Sequence, residues 1–289
     1  MILWGGGGIQ NGLYENVYAI DGPGTNYVSG TAMNLTNITD CTFKQVVGIT
    51  SNPSPTAGGI CSDFGSTSCS FIDCYSQGFK FGFVFSSSTS QAAQSWLDFV
   101  NPTVVSAQYN GMFFVSASGL GPSHLSIRNP RIISWDTAAN GSQGIDLQGA
   151  QHFSITGGGF GANTYGEYPI RLDTDGTNPC NFGMIENVDF SASTLAILYS
   201  SVGSSIRVKS NLGYNPTGPQ TAPAVPASGT ALTNPFPFDA TVYISGGTVS
   251  AVAVGGTATG LTSGQFFVPA GETITLTYSA APTWTWFGN

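Results

Sequence analysis

Charged residues are scarce in this chain of 289 residues, of which Asp, Glu, Lys and Arg make up 8%. An average soluble domain carries about 25% of them. The 7 basic residues are outnumbered by 15 acidic ones, and the formal net charge is −8. Such a chain has no basic patch that could neutralise phosphates, which excludes nucleic acid as a predicted partner. Hydrophobic residues nevertheless make up 41% of the chain, which is too many for a disordered protein.

Long apolar runs are missing as well. No segment approaches the roughly 20 apolar residues that a membrane helix needs, so we expect no insertion into a membrane. The start of the chain at Met1 lacks the basic region and the long apolar region of a signal peptide. We therefore expect a fragment, or a protein whose amino end joins another part.

Cysteine pairs with metal-binding or redox spacing are also absent. The 5 cysteines form no Cys-x-x-Cys pair, and neither of the 2 histidines lies at a zinc-binding spacing. We therefore predict no metal site and no cofactor. The favoured interpretation is free, buried thiols, in keeping with assembly in a reducing cytoplasm. The cysteines are Cys41, Cys61, Cys69, Cys74 and Cys180.

What the chain does contain is an internal repeat. Pairs of apolar residues separated by one residue recur at a nearly constant step, and a second set of pairs follows at more variable steps. A spacing of two places both side chains of a pair on one side of a strand. The first pairs are Cys69/Phe71, Leu97/Phe99, Leu125/Ile127, Phe153/Ile155 and Phe182/Met184, and the second are Phe79/Phe81, Met112/Phe114, Ile145/Leu147, Ile170/Leu172 and Ala196/Leu198.

The length of the repeat, with two or three short strands in each, is typical of one coil of a right-handed parallel β-helix. A leucine-rich repeat would need a Leu-x-x-Leu-x-Leu frame that is absent here, and a propeller blade would need about 40–45 residues. We therefore predict an all-β chain with a right-handed parallel β-helix of about 6–7 coils over residues 1–210, in which successive coils stack into one core. The predicted coils span residues 13–50, 51–85, 95–117, 123–149, 151–174, 180–200 and 204–211.

A different pattern follows the repeat. Residues 211–228 are rich in proline, which predicts an extended linker. Residues 229–289 show short alternating strands with glycine turns, which predict a small antiparallel β-sandwich-like domain for oligomerisation or capping. A domain of about 60 residues has a marginal core. We therefore expect the apolar end around Trp284 and Trp286 to be buried, in one interpretation against a neighbouring chain.

Taken together, these features resemble phage tail spikes and related pectin-lyase-like β-helix proteins. The coil pattern of residues 13–210 carries the resemblance in fold, and residues 211–216, 234–237 and 284–286 are similar to C-terminal β modules of phage and prophage structural proteins. The resemblance implies a homotrimer of three helices side by side, locked by the C-terminal module. It also implies a place in the virion, in the phage tail, or on an extracellular surface, and recognition of a cell-surface polysaccharide.

Two alternatives stay open, because one fold serves several functions. One is a non-catalytic structural or filament subunit or an adhesin, and the other is a polysaccharide hydrolase or lyase of the pectin-lyase-like class. Polygalacturonase-like enzymes pair an Asp-Asp dipeptide with Gly-His-Gly and a basic Arg-x-Lys. Of these, only Arg207-Val208-Lys209 has a counterpart here, which argues against that particular chemistry.

The densest group of ionisable residues is the candidate catalytic site. Glycoside hydrolysis needs two carboxylates about 5–9.5 Å apart, a spacing that neighbouring coils can provide. The second column makes Asp146 and Arg171 lateral neighbours and puts Asp173 on the same face beside Gln148. The alternative is a surface ion pair with solvated turn aspartates. We predict Asp146, Asp173 and Asp175 as acid and base or as ligands for sugar hydroxyls, and Arg171, Glu167, Trp135 and Tyr165 as substrate-binding residues.

Aromatic residues near the coil edges form a second candidate. His124 and His152 occupy the same place in successive repeats, which predicts stacked rings along a rim of the helix. Trp96, Trp135 and Tyr165 would stack on sugar rings if they lined an exposed groove. Otherwise they fill the core or an interface.

Overall fold

The computed structural model of the chain describes residues 9–20, 32–51, 58–63, 65–87, 93–117, 119–163, 165, 167–203, 205–214, 218–236 and 238–288. Within these residues the chain forms strands and turns, and no helix is long and apolar enough to cross a membrane. Residues 1–8, part of the first predicted coil (21–31) and Pro216 lie outside the described residues. The chain divides into two compact units, Met1–Val202 with Asn211–Tyr214, and Gly203–Ser210 with Asn215–Asn289.

The predicted parallel β-helix is confirmed, with about 6 turns. Its strands, numbered in chain order, are β1 (Leu13–Glu15), β2 (Tyr18–Ile20), β3 (Met33–Thr36), β4 (Thr42–Lys44), β5 (Val47–Ile49), β6 (Gly58–Asp63), β7 (Thr67–Ile72), β8 (Tyr75–Gln77), β9 (Phe81–Ser87), β10 (Ser95–Val100), β11 (Thr103–Val105), β12 (Met112–Ser116), β13 (Ser123–Arg128), β14 (Arg131–Ile133), β15 (Ile145–Gln148), β16 (Gln151–Thr156), β17 (Gly159–Phe160), β18 (Ile170–Asp173), β19 (Asn181–Glu186), β20 (Ile197–Tyr199) and β21 (Ile206–Lys209).

These strands form three sheets in which each strand pairs with its counterpart one coil away. The first sheet has the order β1-β4-β7-β10-β13-β16-β19-β21, the second has the order β17-β14-β11-β8-β5-β2, and the third has the order β20-β18-β15-β12-β9-β6-β3. Because most coils contribute one strand to each sheet, equivalent residues of successive coils line up about 4.8 Å apart.

The interior of the helix is the predicted column of stacked apolar side chains. Phe71 pairs with Phe99, Phe99 with Ile127, and Ile127 with Ile155, and all four residues are fully buried. The rings of Phe71 and Phe99 stack with their centroids 4.9 Å apart. This column is confirmed, and it provides the continuous core that no single coil could bury alone.

The predicted second column is wrong in the coil of β9. Phe83 and Phe85 face the core there, where the sequence predicted Phe79 and Phe81. The cause is Gly82, whose backbone approaches the next coil so closely that a Cβ would stand 2.4 Å from a carbonyl oxygen. Gly82 is therefore the equivalent of the glycines that precede β12 and β15.

The predicted inward residues are wrong by one position in the coil of β19 and β20. The inward residues are Gly183/Ile185 and Ile197/Tyr199, instead of the predicted Phe182/Met184 and Ala196/Leu198. Gly183 is required because the ring of Phe153 fills the space of a side chain there, with Cζ 2.2 Å from where a Cβ would lie. Phe182 instead has a φ of 51° and is 50% exposed.

The five cysteines are free and buried, as the sequence predicted. Burial raises the pKa of the Cys69, Cys74 and Cys180 thiols to about 12. The three thiols are therefore protonated near neutral pH and inert as nucleophiles or metal ligands.

The C-terminal region contains two small antiparallel sheets, as predicted. Their orders are β22-β29-β24-β27 and β23-β28-β25-β26, where the strands are β22 (Gly218–Gln220), β23 (Ala231–Thr233), β24 (Ala240–Ser245), β25 (Thr248–Val254), β26 (Thr257–Ala258), β27 (Gly264–Val268), β28 (Thr273–Ala280) and β29 (Thr283–Gly288). Inward side chains of both sheets form one apolar core that includes Trp284 and Trp286. The apolar end of the chain is thus buried within its own domain, and β22 lies inside the predicted linker.

Candidate functional site

The predicted cluster of Asp146, Arg171 and Asp173 exists on the third sheet. In the pairing of β15 with β18, Asp146 lies opposite Arg171 and Gln148 lies opposite Asp173, as predicted. The guanidinium of Arg171 bridges the two carboxylates, because it donates a hydrogen bond to Asp173 Oδ2 and its Nη1 lies 3.7 Å from Asp146 Oδ2. Both aspartates therefore contact one cation.

The surroundings of Asp146 shift the pKa of its carboxyl. Burial and the nearby carboxylate of Asp173 raise its pKa to about 6, although the guanidinium of Arg171 and a hydrogen bond from Asn110 act in the opposite direction. Asn110 Nδ2 donates to Asp146 Oδ2 at 3.2 Å, whereas Asp146 Oδ1 accepts no hydrogen bond from the described residues. A carboxyl in this setting changes its protonation state close to neutral pH.

The three residues of this cluster differ in how far a ligand could reach them. The side chain of Asp146 is 4% exposed, against 15% for Asp173 and 31% for Arg171. A pKa near 6 suits a general acid, but such an acid must come within hydrogen-bond reach of the leaving oxygen. The structure thus leaves Arg171 and Asp173 accessible and covers Asp146, and the catalytic roles stay predictions.

Asp175 holds a turn together and lies apart from the guanidinium of Arg171. Its Oδ1 accepts hydrogen bonds from the backbone N–H groups of Thr177 and Asn178, at 2.9 and 2.7 Å, and its Oδ2 accepts one from Gly121 at 3.0 Å. Burial raises the pKa of Asp175, but these N–H groups outweigh it and hold the pKa below its usual value. Both oxygens are engaged, so the carboxylate ties the turn to the backbone two coils away.

The three remaining predicted residues lie in different surroundings. Trp135 is fully buried and packs edge-on against Phe160 at 5.8 Å, so its predicted contact with a ligand is corrected to a place in the core. Tyr165 is 51% exposed, and Glu167 is half-buried in the same segment before β18. Among the described residues, no hydrogen bond or ion pair joins either of them to Asp146 or Asp173.

An exposed ladder of four rings stands on the outside of the first sheet. We call Trp96, His124, His152 and Phe182 the ring ladder, because their rings stack at centroid distances of 3.8, 5.0 and 4.8 Å. The stacking of the two histidines is confirmed, but the extension to Trp96 and Phe182 escaped the sequence interpretation. The available signal was position, since each ring directly precedes the first inward residue of its strand.

The backbone directs these rings outward. Every member of the ring ladder has a φ between 51° and 54°, a left-handed conformation that few residues other than glycine adopt. The same conformation occurs at the equivalent positions Asp40 and Ser68 of the two preceding coils. One left-handed residue thus recurs at the same position in each of these coils and turns its side chain away from the sheet.

One end of the ring ladder is at Trp96. Inside the ladder each ring face is covered by the next ring, so only ring edges meet solvent. The indole of Trp96 has one face on His124, and the residue on its other side is Ser68, which is too small to cover it. Trp96 is accordingly 59% exposed. Beyond Ser68, at a second strand spacing from Trp96, lies Asp40, so a hydroxyl and then a carboxylate follow the indole along the sheet.

Comparison with known proteins gives no match among protein families, curated proteins or solved structures. Among the described residues, no three or more His, Cys, Asp or Glu side chains are grouped in a way that could hold a metal ion. The geometry of the ring ladder and of the aspartate cluster is therefore the basis on which a function can be proposed.

Proposed function

We propose that the chain is a structural protein of the phage tail-spike kind that binds a cell-surface polysaccharide through the first sheet of its β-helix. The observation that carries this proposal is the open indole face of Trp96 above Ser68 and Asp40. An exposed aromatic face packs against the C–H groups of a pyranose, while nearby polar groups bond its hydroxyls.

The surroundings of Trp96 suit a sugar better than a protein partner. Beside the ring ladder runs a column of small polar side chains, in which Ser70, Asp98, Ser126 and Ser154 pair across successive coils. Such a surface offers many hydroxyl groups and little apolar area. The repeat of equivalent positions along the helix also matches a ligand that is itself a repeating chain.

Binding is better supported than cleavage. A depolymerase would use Asp146 as its acid, because a pKa of about 6 keeps that carboxyl partly protonated. The side chain is only 4% exposed, however, and a substrate oxygen cannot reach it in this arrangement. We therefore propose recognition of the polysaccharide as the main function, with cleavage as the second candidate.

Substitution of Trp96 by alanine should lower the affinity for the bound polysaccharide at least about tenfold, since truncation of a central tryptophan in an interface usually costs about 2 kcal/mol or more. The measurement is a glycan array to find the ligand, followed by calorimetric titration of both proteins. Tyr18→Ala is the matched control, because this side chain is 57% exposed on the second sheet. A protein that binds no glycan on the array would support the purely structural alternative.

We also propose the homotrimer that the resemblance implies. Its support is an aromatic patch on the outer face of one C-terminal sheet, where Phe267 and Phe287 flank Thr241 and the ring of Tyr243 lies 5.4 Å from that of Phe287. Tyr243 and Phe267 are 44% and 54% exposed, and a patch of this kind usually marks a contact with another chain.

Light scattering should therefore give about three times the chain mass of 29.9 kDa. A double substitution of Tyr243 and Phe267 by serine should shift the protein to the monomer, because it removes the apolar area that the contact would bury. The paired control replaces the exposed Leu261 by serine. A stable monomer for the unmodified protein at micromolar concentration would contradict the proposed assembly.

A further inference from the structure

A groove in the second sheet lies apart from the ring ladder. It has a volume of about 480 Å³ and is open to solvent, a size typical of small-ligand sites. It lies where β14, β17 and the following coil run side by side. The residues that line it include Arg131, Ile133, Gly159, Phe160, Gly161 and Asp189.

The groove exists because glycine occupies the outward position of β17. Arg131 pairs with Gly159, and Gly159 pairs with Asp189, so the three residues form one column across three coils. The two charged residues are therefore two strand spacings apart, about 9.6 Å between Cα atoms. Since Gly159 has no side chain, the space between the guanidinium and the carboxylate stays open.

A second glycine widens the opening. Gly161 lies beside Ile133, and a Cβ at position 161 would stand 3.3 Å from Ile133 Cγ2. Between the two glycines Phe160 points inward and is 4% exposed. The groove thus has a backbone floor, an aliphatic side chain on one wall and two charges at its ends.

Arg131 and Asp189 both line the groove, but they form no ion pair with each other. Ion pairs hold Lys44, Arg128 and Arg171 elsewhere in the described chain, but no hydrogen bond or ion pair to a described residue engages the guanidinium of Arg131. Asp189 Oδ1 accepts hydrogen bonds from the hydroxyl and the N–H of Ser191, which lower its pKa and keep it ionised. Asp189 Oδ2 remains available.

We infer that this groove is a second sugar-binding site, which takes one neutral pyranose unit between Arg131 and Asp189. A neutral ligand fits because the groove holds one positive and one negative charge. The attraction of an anion or a cation to one of them would be offset by repulsion from the other. A pyranose carries hydroxyls on adjacent carbons, and one can accept from the guanidinium while another donates to the carboxylate. The inference rests on the proposed function for the nature of the ligand, but it uses none of the residues near Trp96.

Saturation-transfer NMR with the methyl glycosides of glucose, galactose, mannose and rhamnose tests this inference on the unmodified chain. At least one glycoside should bind, and Arg131→Met should weaken it about tenfold or more, because a hydrogen bond to a charged group is lost. Gly161→Ser should have a similar effect by filling the groove, while it leaves every charge in place. Circular dichroism confirms that both variants are folded.

The controls separate this site from the one at Trp96. Arg207→Met removes an exposed arginine outside the groove, and it should leave glycoside binding unchanged. Trp96→Ala should also leave it unchanged, although this variant should bind the polysaccharide at the ring ladder at least about tenfold more weakly. Absence of binding by all four glycosides, binding that survives Gly161→Ser, or binding of methyl glucuronide alone would each overturn the inference. Loss of glycoside binding in Trp96→Ala alone would leave the proposed function standing and reject the groove.

Discussion

Replacement of Phe99 by alanine should lower the free energy of unfolding by about 3–5 kcal/mol, the usual cost of truncating a buried phenylalanine. The side chain is fully buried and stacks on Phe71 at 4.9 Å. It also meets Phe85 and Phe114 edge-on at 5.0 and 5.6 Å. The cavity left behind cannot close easily, because strand pairing holds the coils on both sides at a set spacing.

Equilibrium unfolding in urea, followed by circular dichroism, measures this change. All proteins are compared at one concentration, because assembly would add to the apparent stability. Phe182→Ala is the matched control, since that ring is 50% exposed outside the helix and its removal opens no cavity. We expect it to change stability by about 0.5 kcal/mol or less. Equal losses in the two variants would contradict a single interior column of which Phe99 is a member.

The sequence was sufficient to predict the first sheet because the coils there have equal lengths. Leu97, Leu125 and Phe153 follow one another at equal steps along the chain, and the structure pairs them in that register. The error came one coil later, where the step to Gly183 is longer and an apolar residue, Phe182, stands next to the true inward position. Gly183 packs against the large ring of Phe153, but a glycine does not contribute to a pattern of hydrophobic residues. The periodicity alone therefore selects the adjacent Phe182 as the inward residue.

The sequence predicts which residues of the candidate site lie next to one another, but it does not predict how exposed each of them is. Alternation along β15 and β18 is enough to place Asp146 beside Arg171, because register follows from the inward pairs. It does not show that other residues cover the outer face there, or that Trp135 turns inward. The ring ladder shows the reverse case. The sequence shows each of its residues as an isolated aromatic residue. The spacing of hydrophobic residues does not predict the left-handed backbone conformation that turns these side chains outward.

Stability should fall by about 3 kcal/mol as the pH rises from about 4 to about 6, because of Asp146. Burial raises the pKa of this carboxyl from 3.8 to about 6, so the folded state holds the proton more tightly than the unfolded chain does. The stabilising contribution is complete below pH 3.8, is lost as the pH passes through 6, and stays constant above that value. Asp175 and Asp189, whose pKa values are lowered, act below this window and in the opposite direction.

Substitution of Asp146 by asparagine should remove this slope, because an amide of the same shape has no proton to lose. Above pH 6 the variant should be more stable than the unmodified protein, since it no longer buries a charge, and Arg171 keeps its ion pair with Asp173. Urea unfolding at a series of pH values measures both effects. The exposed pair of Asp98 with Arg128 supplies the control, as Asp98→Asn should leave the slope intact. If Asp146→Asn keeps the full slope, the proton is taken up elsewhere, and the case for Asp146 as an acid with a pKa near neutral is lost.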